Sequence, residues 1–535
     1  MIHTQVEEST AAKRVAAHSV AVAVGKSTLF GVLANFAQVG TRIFTVPVVI
    51  THMGLEGYGI WSIIMTTGAY MRFGAAGLKS AFQKYVAEAM GSGNFLGVNQ
   101  LISTGSAAML VASLIGLLPV AIFSKVLARH SGVPERFVDS TAGSFELLAI
   151  LMIISNFAAV YEAIVAGTNR IELLKKFNIV QAILEAAAIV TLLYFGYGLL
   201  AMTAVMAVSE LALIACCYLA SSRILPQVRL GIRYISRSVV RELVRFAGSY
   251  QILNVLEIVY ITFLPICILK LFGAHASGVY ALCGRLVAAA VMFQESSLLP
   301  LLSGGAAMYA SATRDHVKFL ISKAFKWTLV LSAPFLVFLS VFGTTVIMAW
   351  TGQADPLFKI TLWLSCAAAL FKAVSRVGFI IYRVTGGSSL DIIRQVICIV
   401  PVAVAAFLGR EVGYLGIFVA VALGELLGML FMFLALGWVI EGFNVRMLVP
   451  DAAKLLGAVA GVVAIGAGAA ALSSFWSGSG RLDAALRLAL AALGCAIVIR
   501  PALSLTRFLS TGEQRAIMDT LLRRSQKQGI VEVQA

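Results

Sequence analysis

The chain consists mainly of long apolar runs separated by short polar segments. Fourteen runs have about 20 or more mostly apolar residues, the length that a helix needs to cross the hydrocarbon of a bilayer. A transmembrane β-strand needs only about 9–11 residues, so the run length predicts helices. The runs lie at approximately 28–51, 58–78, 99–124, 144–168, 177–196, 199–222, 246–270, 276–302, 326–350, 358–384, 390–409, 412–438, 452–474 and 484–508. The pattern therefore predicts an all-α polytopic membrane protein with about 14 transmembrane helices.

The composition supports this interpretation. Of the 535 residues, 60% are hydrophobic and 12% are charged, and the mean hydropathy is +0.93. Soluble domains carry about 25% charged residues, so a water-soluble fold, a disordered chain and a disulfide-stapled secreted module are excluded. The seven cysteines lie in apolar runs without metal-ligand spacing, and we interpret them as small core- or lipid-facing residues. We expect neither a metal nor a cofactor.

The basic residues predict the orientation in the membrane. With the N-terminus inside, thirty-one of the 41 Lys and Arg residues fall on the inner side and eight fall on the outer side. Arg42 and Arg285 remain within spans. Basic residues accumulate in cytoplasmic loops, so both termini are expected to be cytoplasmic. The same bias accounts for the net charge of +16 without a nucleic-acid partner.

The sequence contains an internal repeat. Residues 47–61 are echoed by residues 265–280, and Gly59 and Gly278 stand 219 positions apart. A glycine followed twelve residues later by glutamate also occurs in both halves, as Gly198 with Glu210 and Gly413 with Glu425. Six helices return the chain to its starting side, so two six-helix copies would form a parallel repeat.

The repeat predicts the organisation of the chain. We expect a cytoplasmic N-terminal tail (1–27), an N-lobe of spans one to six (28–222), a basic cytoplasmic linker (223–245), a C-lobe of spans seven to twelve (246–438), spans thirteen and fourteen (439–508) and a cytoplasmic C-terminal tail (509–535). In the linker, arginine recurs about every four residues, which predicts a surface helix.

Three short stretches resemble a known family. Met53–Trp61 (MGLEGYGIW), Tyr70–Ala81 (YMRFGAAGLKSA) and Tyr85–Glu88 (YVAE), together with the two lobes, resemble the polysaccharide flippases of the multidrug/oligosaccharidyl-lipid/polysaccharide (MOP) exporter superfamily. In that family span two typically ends in an aspartate-leucine-glycine-like turn, whereas Arg72 and Phe73 precede the glycine here.

The resemblance implies a MATE-like fold and a specific transport step. A flippase of this family moves an undecaprenyl-pyrophosphate-linked oligosaccharide from the cytoplasmic to the periplasmic leaflet of the bacterial inner membrane, for O-antigen, exopolysaccharide or capsule. The implied partners are this anionic lipid-linked oligosaccharide and membrane lipids, with a polysaccharide polymerase and co-polymerase as candidate protein partners. Alternating access of the lobes would perform the transfer.

Charged residues inside spans are functional candidates, since they are costly in hydrocarbon. Neither Arg42 nor Arg285 is repeated in the other copy, which favours an asymmetric ligand over a scaffold role. In the superfamily spans one and eight line the cavity between the lobes, where two guanidiniums could bind a pyrophosphate or an acidic sugar. Pairing with a glutamate and snorkelling to a headgroup are the alternatives. Further candidates for substrate contact, or for cytoplasmic anchors, are Arg72 and Arg376, the latter on one helical face with Lys372 and Arg383.

The acidic residues divide into two groups. Glu257 in span seven and Glu295 in span eight are candidates for an ion-coupling site, or for counter-ions of the arginines. Glu210 and Glu425 occupy the same position in both copies, so we interpret them as a structural pair within the lobes. The roles of Glu162 and Glu185 remain open.

Two other functions compete with a flippase. A MATE-type antiporter that exchanges cationic drugs for H⁺ or Na⁺ would need an acidic cavity, which Glu257 favours and Arg42 opposes. A membrane polymerase or glycosyltransferase would need a large extramembrane segment with catalytic carboxylates. The longest predicted outer loop, about residues 125–143, carries only Glu135 and Asp139. We therefore expect no enzymatic activity.

Overall fold

A computed structural model describes residues 2–73, 82–83, 85–88, 93–168, 170–311, 314–385, 388–440, 449–472 and 480–505. Throughout these residues the regular secondary structure is helical, which confirms the all-α prediction. The helices are α1 (Ile2–Phe73), α2 (Phe95–Ile122), α3 (Ser124–His130), α4 (Glu135–Gly167), α5 (Ile171–Tyr194), α6 (Leu199–Ile224), α7 (Arg237–Ser311), α8 (Arg314–Thr351), α9 (Pro356–Thr385), α10 (Ser388–Leu408), α11 (Gly413–Val439), α12 (Val449–Leu472) and α13 (Arg481–Leu505).

Each of the two longest helices is interrupted by one glycine. Gly54 in α1 has φ 69° and ψ 175°, and Gly273 in α7 has φ 86° and ψ 176°. These backbone angles are open essentially to glycine alone. The two glycines stand at equivalent places in the sequence repeat, so both copies turn the chain between their first two predicted spans in the same way.

The length and apolar character of the helices make this a multi-pass membrane protein. Ten helical stretches among the described residues are long and apolar enough to cross a membrane. Two of them, Leu33–Gly68 and Tyr260–Met292, contain the breaks at Gly54 and Gly273 and so cover two predicted spans each. The total of fourteen spans stays a prediction.

The chain divides into two compact units. Unit 1 comprises Met1–Ala281 with Leu408–Tyr414, and unit 2 comprises Leu282–Phe407 with Leu415–Ala535. In unit 1, α4 packs against α1, α2, α5 and α6. A core of fully buried side chains forms where α2 and α4 meet, including Ile102, Val160 and Ala163. The predicted lobe boundaries stay predictions.

In unit 2 the last two helices pack on α8. Leu455 and Val459 of α12 join Ala333 and Phe342 of α8 in one buried core. At the start of α13, the Arg481 guanidinium donates a hydrogen bond of 2.7 Å to the carbonyl oxygen of Trp350, near the end of α8. The helices added after the predicted repeat are thus packed against its second half.

The basic linker differs from its prediction. We expected a surface helix over 223–245, and residues 237–245 are helical as the start of α7. Between Ile224, where α6 ends, and Arg237 the chain is non-helical except for a short 3₁₀ turn, Ile232–Tyr234. Polar side chains of α2 instead accept hydrogen bonds from backbone amides of the linker. The amide of Arg229 donates to Asn99 Oδ1 at 2.9 Å, and the amide of Ser236 donates to Thr104 Oγ1 at 2.9 Å. These long-range hydrogen bonds replace those of a helix between α6 and α7, so the arginine period is correct only for the part of the linker from Arg237 onwards.

Candidate functional site

The two span-embedded arginines lie in different units. Arg42 is an exposed residue of α1 in unit 1. Arg285 is a half-buried residue of α7 in unit 2, twelve positions after the break at Gly273. Both are within helices of membrane-spanning length, as the sequence predicts. Their role as substrate contacts stays a prediction.

The other predicted contacts are described to different extents. Arg376 is half-buried in α9, and Lys372 stands one turn earlier on the same helix and is also half-buried. Residues four apart share a helical face, so these two cations form a basic stripe in unit 2. Arg72 lies in the last turn of α1, but its side chain, like those of Arg383 and Glu295, is outside the described residues. Glu257 is exposed on α7.

Glu210 is at the centre of a buried polar network in unit 1. Its side chain is 3% exposed. Ser155 of α4 donates a hydrogen bond to Glu210 Oε1 at 2.8 Å, and Gln181 of α5 approaches Oε2 at 3.5 Å. The carboxyl group of α6 thus contacts two neighbouring helices. A hydrogen bond to a charged group contributes about 1.5–3 kcal/mol, and more is lost if a buried partner is left unsatisfied.

The network continues to a second acid. Ser209, next to Glu210, donates to Glu185 Oε2 of α5 at 2.8 Å and lies 3.5 Å from Gln181 Nε2. Uncharged groups therefore bridge two carboxyl groups of α5 and α6. This arrangement can hold the helices together.

Glu425 has the corresponding position in unit 2 but different neighbours. It is 4% exposed, and the Cys398 thiol of α10 is 3.8 Å from its Oε2. The Arg394 guanidinium lies 3.6 Å from the Cys398 sulfur and forms an ion pair of 3.0 Å with Asp391. The side chains of Arg394 and Asp391 are only 11% and 3% exposed. One guanidinium is therefore buried beside two carboxylates.

Glycines in α11 allow this cluster to form. A Cβ atom at Gly424 would lie 2.5 Å from the Cys398 carbonyl oxygen, and one at Gly428 would overlap the Cys398 sulfur. Helix α10 therefore approaches α11 more closely than side chains would permit. One guanidinium and two carboxylates thus belong to one charge cluster of unit 2, formed by Asp391, Arg394 and Glu425.

Nothing in the described part of the chain resembles a metal centre. No three His, Cys, Asp or Glu side chains there stand close enough together to bind a metal ion.

Comparison with known proteins gives the fold family. A family profile described as "Polysaccharide biosynthesis protein" matches residues 97–354. The lipid II flippase MurJ, in an inward closed conformation, aligns with a TM-score of 0.65 at 13% identity, over 88% of this chain and 98% of that one. An inward-facing multidrug resistance MATE family transporter of the MOP superfamily aligns with a TM-score of 0.63 at 14% identity, over 79% of this chain and 95% of that one. No curated protein sequence matches the chain.

These alignments give the chain the fold shared by MurJ and the MATE family transporters. At such low identities the structural likeness establishes the fold alone, and the profile adds a similarity to polysaccharide biosynthesis proteins over residues 97–354. A MOP superfamily transporter from Pyrococcus furiosus aligns with a TM-score of 0.54 at 14% identity, over 81% of this chain and 94% of that one. Its description says that the reverse polarity of its binding pocket suggests a different function. The predicted resemblance and the MATE-like fold class are confirmed.

Sequence reasoning missed three buried charged residues of this protein. Lys326 of α8 is 8% exposed, and Asp391 and Arg394 of α10 are buried as described above. All three lie at the ends of predicted spans, where basic residues are usually cytoplasmic anchors. Their charge alone therefore does not indicate that they are buried. The spacing of Asp391 and Arg394, three positions apart near the start of a helix, does suggest an ion pair.

Proposed function

We propose that this protein is a flippase for an anionic lipid-linked oligosaccharide. The substrate class is an undecaprenyl-pyrophosphate-linked glycan, moved from the cytoplasmic to the periplasmic leaflet of a bacterial inner membrane for surface polysaccharide synthesis. The observation that carries the proposal is the polysaccharide biosynthesis match over residues 97–354, on a chain with a MOP fold. A polymerase and its co-polymerase would consume the product.

The charges of unit 2 support an anionic substrate. Arg285, Lys372 and Arg376 are basic and only half-buried, so they can be reached by a ligand more readily than fully packed residues. A guanidinium binds phosphate oxygens bidentately. Moving a pyrophosphate through hydrocarbon unaided would cost tens of kcal/mol, of which a cationic, hydrated passage would remove most. Rocking of two lobes would then expose this passage to each leaflet in turn.

Surface polysaccharide in a strain lacking the gene tests this function. We expect the wild-type gene to restore surface polysaccharide and the double variant Arg42→Ala/Arg285→Ala to fail, at equal protein level in the membrane. Arg410→Ala is the matched control, since Arg410 is exposed at the turn before α11. Normal polysaccharide in the double variant would contradict the assigned role of the arginines, and normal polysaccharide in the deletion strain would contradict the function.

A multidrug cation exporter is the second candidate. The fold likeness to a MATE family transporter favours it, and so does the network that joins Glu185 and Glu210 in unit 1. The same deletion strain separates the two functions. A flippase predicts lost polysaccharide with unchanged resistance to cationic drugs, whereas an exporter predicts increased drug susceptibility with normal polysaccharide.

A further inference from the structure

Helices α8 and α9 enclose an apolar groove within unit 2. Its volume is about 660 Å³. Leu336, Leu362 and Cys366 form its buried floor, with exposures of 2%, 1% and 4%. Val341 and Trp363 also line the groove but are about half exposed, at 47% and 52%. The groove therefore opens onto the apolar surface of the protein.

One end of the groove is charged. Lys359 lines it, and the Lys359 ammonium lies 5.1 Å from the centre of the Trp363 ring. The indole N–H of Trp363 donates a hydrogen bond of 2.6 Å to the Ser340 carbonyl oxygen, which fixes the ring between α9 and α8. Tryptophan and lysine are the side chains that occupy the boundary between hydrocarbon and headgroups. The nearby Asp355 carboxylate accepts a hydrogen bond from the Leu357 amide and is not part of the lining.

The length of the groove matches one leaflet. On α9 the lining runs from Lys359 to Leu370. At about 1.5 Å per residue this wall is about 16 Å long. Half of a hydrocarbon core of about 30 Å is about 15 Å. A lipid with its phosphate at Lys359 would therefore extend a chain along the whole groove.

We propose that this groove binds an acyl chain of an anionic phospholipid, with the lipid phosphate at Lys359. The exposed ammonium is complementary to an anionic headgroup, and the apolar walls are complementary to the chain. An undecaprenyl chain is far longer than one leaflet is deep, so a phospholipid of the bilayer fits this length better. The site is separate from the proposed transport step, and it would fix the packing of α8 on α9.

Native mass spectrometry of the full chain tests the site. The protein is purified in a mild detergent with equal amounts of phosphatidylglycerol and phosphatidylcholine. We expect wild-type protein to retain phosphatidylglycerol several-fold over phosphatidylcholine, and Lys359→Gln to retain the two equally. Arg410→Gln is the control for loss of an exposed charge and should retain the wild-type preference. Equal retention of both lipids by wild-type protein, or an unchanged preference in Lys359→Gln, would overturn the proposal.

Photo-crosslinking locates the bound chain. Phosphatidylglycerol with a diazirine in its acyl chain should label peptides containing 336–344 and 359–370. The variant Thr344→Trp fills the groove, so it should lose most of this label. Its elution volume in size-exclusion chromatography and its melting temperature should stay as in the wild type. Labelling elsewhere, or labelling of these peptides by a photoreactive polyprenyl phosphate in preference to phosphatidylglycerol, would show that the proposed occupant is wrong.

Discussion

Gly59 and Gly278, which are equivalent positions of the sequence repeat, lie against each other within unit 1. A Cβ atom on Gly59 would stand 2.5 Å from the Gly278 nitrogen and 2.6 Å from the Ala274 carbonyl oxygen. A Cβ atom on Gly278 would overlap the Leu55 carbonyl group. Each glycine follows its helix break, Gly54 or Gly273, by five residues. Each glycine contacts the segment that carries the other glycine. Such a reciprocal contact of equivalent residues indicates that the segments around Gly59 and Gly278 are related by a local two-fold axis.

This contact predicts a strong effect of adding one methyl group. Gly59→Ala forces two backbones apart, and overpacking of this kind typically costs about 1–3 kcal/mol. We expect a lower melting temperature and reduced folded yield in detergent. Gly40→Ala is the control, because nothing lies within 4 Å of its Cβ position and alanine is the better helix former. Equal stability of the two variants would show that the close approach is absent.

The two helix breaks predict a second, conformational effect. Nothing lies within 4 Å of a Cβ atom at Gly54 or Gly273, so there is space for alanine at both. Their φ angles of 69° and 86° are nevertheless strained for any other residue, at a cost of about 1–3 kcal/mol. We expect Gly54→Ala and Gly273→Ala to destabilise the protein by similar amounts in thermal unfolding. Gly284→Ala, which has open space and an ordinary φ, should be tolerated.

The hydropathy pattern was sufficient to predict the helices, since every predicted span falls on a helix over the residues that the structure describes. The echo of residues 47–61 in residues 265–280 is also visible in the sequence, and it includes Gly54 and Gly273, where the chain adopts positive φ. Neither signal gives the backbone angles at Gly54 and Gly273, where α1 and α7 each consist of two helices joined across a kink. Hydropathy records burial in lipid, whereas the break depends on the backbone angles of a single residue.

The charge cluster around Arg394 could not be predicted in the same way. The position of Arg394 near a span end fits a cytoplasmic anchor, which is the common reason for arginine there. Its burial depends on Gly424 and Gly428, which allow α10 to pack tightly on α11. Such a contact between separate helices leaves no periodic pattern in the sequence. The equivalence of Glu210 and Glu425 was visible, but their different neighbours were not.

Removing the buried Arg394 guanidinium should lower the stability of the folded protein. Arg394→Gln removes the guanidinium that is paired with Asp391 and lies beside Glu425, and loss of one partner from a buried pair costs about 3–5 kcal/mol. The double variant Arg394→Gln/Asp391→Asn should recover part of that loss. Thermal unfolding of the single and double variants measures the coupling. Additive effects of the two substitutions would contradict the ion pair.

The two equivalent glutamates should respond differently to the same substitution. Glu210→Gln keeps an oxygen that can accept the hydrogen bond from Ser155, so we expect near-normal stability and polysaccharide export. Glu425→Gln removes a charge beside Arg394, so we expect a lower melting temperature. The complementation assay and thermal unfolding measure both effects. Loss of export in a stable Glu210→Gln protein would show that Glu210 acts in transport rather than in packing.

Transfer between leaflets is the central claim, and proteoliposomes test it directly. A lipid-linked oligosaccharide is placed in both leaflets with the purified protein, and a membrane-impermeant enzyme cleaves only the outward-facing glycan. The account predicts that wild-type protein makes nearly all of the glycan accessible within minutes, while Arg42→Ala/Arg285→Ala leaves about half protected, as in protein-free vesicles. If folded wild-type protein leaves about half of the glycan protected from the enzyme, and the same vesicles take up a cationic dye, the proposed transfer is contradicted.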